Sequence, residues 1–252
     1  MAFSTILITG ATGSLGHALT RFLLDTTDAV IRAYSRDEDK QEQMARTFAD
    51  HADRLRFLLG DIRDLPRLTL ALRGVECVFH CAALKRIPQG ELNPLEHIRT
   101  NIYGTENVIQ ACIVNQVARA MFISSDKAVS PVNLYGQTKA VGERLWLQAN
   151  AYTSLTNFVA LRYGNVSGSR GSVLPLWQSQ CDAGQPLTLT HHDMTRFYLT
   201  LPDAVQYAWY TACHVPRGCL FVPYLPAFTV QDLLDAFAPD AMFHETGIRP
   251  GE

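Results

Sequence analysis

Six short apolar runs alternate with segments of helical period, and this alternation constrains the fold more than any other feature. The runs are STILIT (4–9), AVIRAY (29–34), LRFLL (55–59), CVFHCA (77–82), ARAMFIS (118–124) and FVALRY (158–163). Between them, helical spacing recurs at roughly 14–25, 37–50, 64–72, 95–116 and 134–149. Strand–helix alternation repeated this often predicts an α/β fold: a parallel sheet with helices on both faces and right-handed crossovers. Several runs are apolar throughout, as strands covered on both faces require.

Beyond residue 164 the pattern loosens. GNVSGSRGSVLP reads as a loop near the carboxyl edge of the sheet. A helical stretch (173–182), the strand-like PLTLT (186–190), a helix (202–214), the strand LFVP (220–223) and a helix (230–237) follow. The expected organisation is a nucleotide-binding domain over residues 1–164, to which parts of later segments return. A small α/β substrate lobe is expected over 165–252. With 252 residues and 47% hydrophobic residues, the chain buries a sizeable core. A net charge of −2 argues against nucleic-acid or membrane-surface partners. Six cysteines without a Cys-x-x-Cys pair read as reduced and mostly buried thiols. The first residues read as a strand entering a glycine turn, not a signal peptide, and no apolar run has the length of a membrane span. A reducing, cytoplasmic compartment is the expectation.

TGATGSLG (9–16) joins the first strand to the first helix, with Gly10, Gly13 and Gly16 spaced three apart. The first glycine permits the tight turn, the second lets a pyrophosphate approach the backbone, and the third lets helix and strand pack closely. Phosphates then meet the free N–H groups of the helix N-terminus. The fold expected is therefore a Rossmann-like, doubly wound sheet that binds a dinucleotide, with Thr12, Ser14 and Leu15 completing the phosphate turn. The second strand ends in Ser35 and Arg36 where an acid would favour NAD. A guanidinium pairs well with a 2′-phosphate, so NADP is favoured. Lys40 is assigned to the same end of the cofactor, and Asp37 keeps NAD open. Asp61 and Ile62 are placed at the adenine, and Ala82 and Ala83 under the nicotinamide ribose.

SSDKAVSPVNLYGQTK (124–139) carries the reactive groups. Tyr135 and Lys139, four apart on a helix, share one face. An ammonium beside a phenol lowers its pKa, so Tyr135 is expected to exchange protons near neutrality. Asp126 and Lys127 precede them, after Ser125.

In this setting the chain resembles the extended branch of the short-chain dehydrogenase/reductase superfamily. More closely, ITGATGSLG, CAALKRIPQGELNPLE, SSDKAVSPVNLYGQTK, RYGNVSGSRGSV, MTRFYLTLPDAV and GIRPGE follow the order found in short, inverting UDP-N-acetylglucosamine 4,6-dehydratases of pseudaminic-acid and capsular amino-sugar pathways. The resemblance implies oxidation of the sugar at carbon 4, elimination of the carbon-6 hydroxyl and return of the hydride, with inversion at carbon 5. Tyr135 and Lys139 would serve the redox half, with Ser125 in the place of a usual threonine. Asp126 would be the acid and a buried Lys127 the carbon-5 base of the elimination half. It further places Lys85, Glu91, Asn165, Arg170, Gly171, Ser172, Thr195, Arg196, Arg249 and Glu252 around the UDP-sugar, Asn101 behind them, and Val166 at the nicotinamide. Homo-oligomers are implied as well. The family continues past GIRPGE, so the second lobe is expected to be truncated.

Two other functions share parts of the pattern. A UDP-sugar epimerase acting at carbon 4 or 5 would use the glycine turn, tyrosine and lysine; a carbon-4 epimerase needs no elimination base, whereas a carbon-5 epimerase would share the reprotonation of carbon 5 with an inverting dehydratase. A non-enzymatic NADP-binding regulator would typically lack the tyrosine or lysine. Adjacent His191 and His192 before Asp193 do not splay like metal ligands, and no metal is expected. Trp146, Trp177 and Trp209 are assigned to the core.

Overall fold

The computed structural model describes residues 2–168 and 173–247. Strands β1 (Thr5–Thr9), β2 (Val30–Ser35), β3 (Leu55–Leu59), β4 (Cys77–His80), β5 (Arg119–Ile123) and β6 (Asn157–Leu161) alternate with helices α1 (Ser14–Thr26), α2 (Glu38–Thr47), α3 (Leu65–Ala71), α4 (Ile87–Leu92), α5 (Pro94–Ile98), α6 (Gly104–Val114) and α7 (Leu134–Gln148). Then come β7 (Asn165–Val166), α8 (Val173–Asp182), β8 (Leu187–Leu189), β9 (Thr195–Leu199), α9 (Leu201–His214), β10 (Leu220–Phe221), β11 (Ala227–Thr229), α10 (Val230–Phe237) and β12 (Phe243–Glu245). The main sheet has the order β10-β6-β5-β4-β1-β2-β3, and every neighbouring pair is parallel. The order reverses between β1 and β4, where an open α/β sheet forms its ligand crevice.

The pleat sends alternate side chains of each strand into two cores. Ile6, Ile8, Phe79, Met121 and Ile123 join one core with Leu19, Leu23, Ala204 and Ala208 of α1 and α9. Leu7, Val78, Ala120 and Phe122 join the other with Leu68, Val108, Cys112 and Trp146 of α3, α6 and α7. Each fully buried Leu, Ile or Phe contributes about 1.5–3 kcal/mol, so these layers dominate stability. Trp146 and Trp177 are fully buried, and Trp209 packs edge-on to Phe3 and Phe22. All six cysteines are free. Cys77 and Cys112 are buried as expected, whereas Cys181 and Cys219 are exposed on the looser part of the chain. Among the described residues no helix is long and apolar enough to cross a membrane.

The long helix expected over 95–116 is broken. Pro94 starts a short α5, a π-helical turn spans Arg99–Tyr103, and α6 begins at Gly104. The wider turn brings both Thr100 and Asn101 inward. The later segments form two small sheets, β11-β9-β7 and β12-β8, around a core of Trp177, Leu187, Leu189 and Leu234. Between these pieces α9 packs on β5 and β6, and β10 pairs with β6 as the seventh strand of the main sheet.

Candidate active site

The glycine turn lies at the order reversal. Gly10 has φ +66°, the left-handed region, and a Cβ there would come within 2.8 Å of Ala82 Cα. The turn is thereby pressed onto the loop after β4. A Cβ on Gly16 would meet Gly10 O at 2.5 Å, which accounts for the expected close packing of helix on strand. Gly13 caps α1, whose first turn carries no acidic residue. The N-terminus of α1 thus keeps its positive end for an anion.

At the other end of this crevice, Ser35 is buried and its Oγ accepts from Gln41 Nε2 at 2.9 Å. Arg36 is half exposed, 3.7 Å from Asp61. Asp61 accepts from Arg63 Nε and Nη2 at 3.0 and 2.7 Å. Burial raises its carboxyl, but the Arg63 hydrogen bonds prevail and hold it below its ordinary value. Asp37 caps α2, accepting from Lys40 N, and pairs with the Lys40 ammonium. The acid that kept NAD open is therefore engaged locally. Thr12 and Lys40 line one cleft of about 160 Å³ with His17 and Gln43. The Ile62 side chain is buried, packed where a Cβ on Gly104 would collide with it. Ala82 and Ala83 are partly exposed beside Gly10.

The reactive groups converge where β5 ends and α7 begins. Asn133 caps α7, its side chain accepting from Gly136 N at 2.8 Å. Asp126–Ala128 form a 3-10 turn whose Asp126 N donates to Tyr163 O at 2.8 Å. On Asp126 Oδ1 three donors meet: Ser125 Oγ at 2.9 Å, Lys127 N at 3.0 Å and Lys127 Nζ at 3.2 Å. A Cβ on Gly136 would lie 2.1 Å from Lys127 O, so only glycine lets this turn lie against the helix that carries Tyr135 and Lys139. The two acid–base pairs are locked into one unit by that contact.

Two electrostatic expectations need correction. Burial pushes the Tyr135 phenol up to about 12, a hydrogen bond with Ser125 pulls it down, and Asp126 raises it further. Lys139 Nζ donates to Ile123 O at 2.7 Å and lies over the Phe122 ring. Burial lowers Lys139 to about 8, opposed by Cys81 and Glu143. Lys127 is not the buried base expected: its side chain keeps 28% of its exposure, next to a half-buried Asp126.

Sequence reasoning missed Glu143, which lies four residues beyond Lys139 on the same face. Its Oε1 accepts from Ser124 Oγ at 2.5 Å and Arg162 Nε at 2.9 Å, and Oε2 accepts from Arg162 Nη2 at 2.5 Å. The carboxylate ties the end of β5, the end of β6 and α7 together. An acid four residues beyond Lys139, on the same buried face of α7, was the available signal. Glu143→Ala would leave the guanidinium unpaired and should cost about 3–5 kcal/mol by chemical denaturation, with Glu143→Gln milder. Equal stability of Glu143→Ala and wild type would show that the cluster is not structural.

On the sugar side the assignments divide. Lys85 is exposed on the loop after β4, and Asn101 clamps that loop by accepting from Leu84 N and donating to Leu84 O, both at 2.8 Å. Glu91 instead accepts from Leu134 N at 3.0 Å, at the start of α7. Asn165 is exposed on β7, while Val166 packs on the core. Thr195 and Arg196 lie on β9, where Arg196 donates to Thr195 O. Arg170, Gly171, Ser172, Arg249 and Glu252 lie outside the described residues. His191, His192 and Asp193 bring ligand atoms within 4.8 Å of one another. The two rings stack at 15°, however, and lone pairs in nearly parallel planes do not converge on one ion.

A family model for polysaccharide biosynthesis proteins matches residues 6–252. The chain belongs to this family. Among its relatives is a UDP-N-acetylglucosamine 4,6-dehydratase (inverting) of Campylobacter jejuni subsp. jejuni serotype O:2. It is 44% identical over 251 residues, covering 98% of this chain and 75% of that protein. A UDP-glucose 4-epimerase of Rickettsia canadensis is 42% identical over 258 residues, with the same coverages of 98% and 75%. In the X-ray structure of Pen from Bacillus thuringiensis the fold recurs with a TM-score of 0.96 and 36% identity, over all of this chain and 82% of that one. A dTDP-glucose 4,6-dehydratase from Streptomyces venezuelae, DesIV, shares the fold alone, with a TM-score of 0.87 and 21% identity. The chain carries the doubly wound sheet and, beside it, the Asp126–Lys127 pair held against the helix of Tyr135 and Lys139.

Proposed function

We propose that the protein is an NADP-dependent UDP-N-acetylglucosamine 4,6-dehydratase that inverts carbon 5. The observation that carries this reading is the Asp126–Lys127 ion pair, seated by Gly136 against the helix of Tyr135 and Lys139. Relatives 43–44% identical over nearly the whole chain bear that dehydratase name, which supports it.

The glycine turn and the uncharged start of α1 fit a dinucleotide, because a Cβ at Gly10 would fill the contact that shapes the cradle. Bound there, NADP supplies a reversible hydride acceptor. Arg36, with Lys40 and Thr12 lining the neighbouring cleft, recognises its 2′-phosphate. Arg36→Ala is expected to weaken NADPH about tenfold and NADH by less than twofold in fluorescence titrations. Equal losses for both would remove the argument for NADP.

The chain's own residues handle the protons. Tyr135 Oη, as the phenolate that its hydrogen bond with Ser125 favours and burial opposes, takes up the proton of the carbon-4 hydroxyl. Lys139 holds the nicotinamide ribose from the buried face. The new ketone acidifies the carbon-5 hydrogen. Lys127 Nζ and Asp126 Oδ1 lie 3.2 Å apart, within hydrogen-bond reach of each other. One takes the carbon-5 proton and the other protonates the carbon-6 hydroxyl, which leaves as water. The segments after residue 164 that do not return to the main sheet serve as the sugar-binding lobe, with Asn165, Thr195 and Arg196 as its proposed sugar-side residues.

A second reading, UDP-sugar epimerization, is favoured by the relatives named UDP-glucose 4-epimerase. Mass spectrometry of UDP-N-acetylglucosamine incubated with the protein and catalytic NADP+ separates the two. Loss of one water supports the dehydratase, and a new isomer of unchanged mass supports the epimerase.

A further inference from the structure

His80 is buried to 1% exposure directly below the crevice, and the chemistry above leaves it unused. It stacks on Trp146 at 5.4 Å and is tilted against Phe122 at 5.6 Å. Both ring nitrogens are engaged: Nδ1 lies 2.7 Å from Thr9 Oγ1, and Nε2 lies 3.0 Å from Thr105 Oγ1. The hydrogen-bond directions follow from the neighbours. Thr105 donates its hydroxyl hydrogen to Asn101 O at 2.7 Å, so toward His80 it accepts, and Nε2 carries the proton. Nδ1 is then a bare acceptor, and Thr9 Oγ1 donates to it. Thr9 Oγ1 in turn accepts from Ala82 N at 3.2 Å. A one-way chain runs from the Ala82 amide through Thr9, His80 and Thr105 to the Asn101 carbonyl. At its far end the Asn101 side chain grips Leu84 and donates to Thr138 Oγ1 at 3.0 Å, and Thr138 donates to Tyr135 O at 2.8 Å. The same network therefore sets the loop after β4 and the turn of helix carrying Tyr135.

We propose that His80, fixed as the Nε2–H tautomer, is a positioning residue that sets the Ala82–Leu84 backbone and through it the nicotinamide end of the cofactor site. This rests on the reading that the loop borders the nicotinamide ribose. An imidazolium would donate from Nδ1 to Thr9 Oγ1 and force that hydroxyl to turn its own hydrogen away, breaking the one-way chain at Thr9. Burial, with the Lys139 ammonium nearby, lowers the ring to about 3 and keeps it neutral.

Two measurements test this without turnover of any sugar. Long-range proton–nitrogen correlation spectra of histidine-labelled wild-type protein should show His80 as the Nε2–H tautomer, without titration between about pH 5 and 9. Thr105→Val removes the acceptor and should shift His80 toward the Nδ1–H form. Thr9→Val removes the acceptor of the Ala82 amide and should weaken NADPH binding about tenfold, while Thr9→Ser restores it. A purely space-filling histidine would leave cofactor affinity unchanged in Thr9→Val. An Nδ1–H tautomer in the wild type, titration in that range, or unaltered NADPH affinity in Thr9→Val would overturn the proposal. Failure to release water from UDP-N-acetylglucosamine, with all these results as expected, would instead count against the dehydratase reading alone.

Discussion

An Asp126→Asn, Lys127→Ala double variant is expected to release water from UDP-N-acetylglucosamine about 10²–10⁴-fold more slowly, while binding NADPH as the wild type does. The pair lies outside the glycine crevice, so cofactor affinity has no reason to change. Folding should survive too. A half-exposed ion pair contributes only about 0–1 kcal/mol, and asparagine keeps the Oδ1 that accepts from Lys127 N at 3.0 Å. The informative observation is the nicotinamide absorbance during the reaction. Tyr135, Ser125 and Lys139 remain, so carbon 4 should still be oxidised while the elimination stalls. Reduced cofactor should then accumulate in the double variant and not in the wild type. Undiminished water release would mean that the pair is only a loop salt bridge.

The second large effect concerns Lys139. Lys139→Met should reduce kcat/KM by about 10²–10³-fold, because on the proposed reading the buried ammonium is the group that holds the nicotinamide ribose. Its stability should respond in the other direction to pH. The folded pKa of about 8 lies below the ordinary lysine value of 10.5, so between these values the unfolded chain binds more protons. Stability therefore rises with pH across that window, and the burial penalty is in full force below it. Lys139→Met removes the titration and should flatten this rise. It also leaves Ile123 O without its donor, which costs about 1–3 kcal/mol and offsets part of the relief from burying no charge. Denaturant unfolding of both proteins at neutral and alkaline pH measures the difference. A parallel pH dependence in the two would show that Lys139 is not the group responsible.

The strands of the main sheet were legible because each is a short apolar run, and LRFLL coincides with β3 to the residue. The reactive unit was legible for a similar reason: Ser125, Asp126, Lys127, Tyr135 and Lys139 are close in sequence, and one turn and one helix bring them together. Contacts between distant segments were not legible. Nothing in the sequence pairs Glu91 with Leu134 N, and His80 reads as one more apolar-strand residue until Thr9 and Thr105 meet its ring. The break within 95–116 was hidden because a π turn and an α-helix share nearly the same apolar spacing. The strands β7, β9, β11 and β12 escaped for another reason. They are two to five residues long and largely exposed, so burial imposes no alternation on them.

The return of α9 and β10 to the main sheet has a mechanical consequence. The chain crosses between the sheet and the small sheets three times: after β6, between β9 and α9, and after β10. A body hung on one strand swings freely, whereas one fastened at three points behaves like a lid on a fixed hinge. Movement of the small sheets against the main sheet is thus constrained at three connections rather than one.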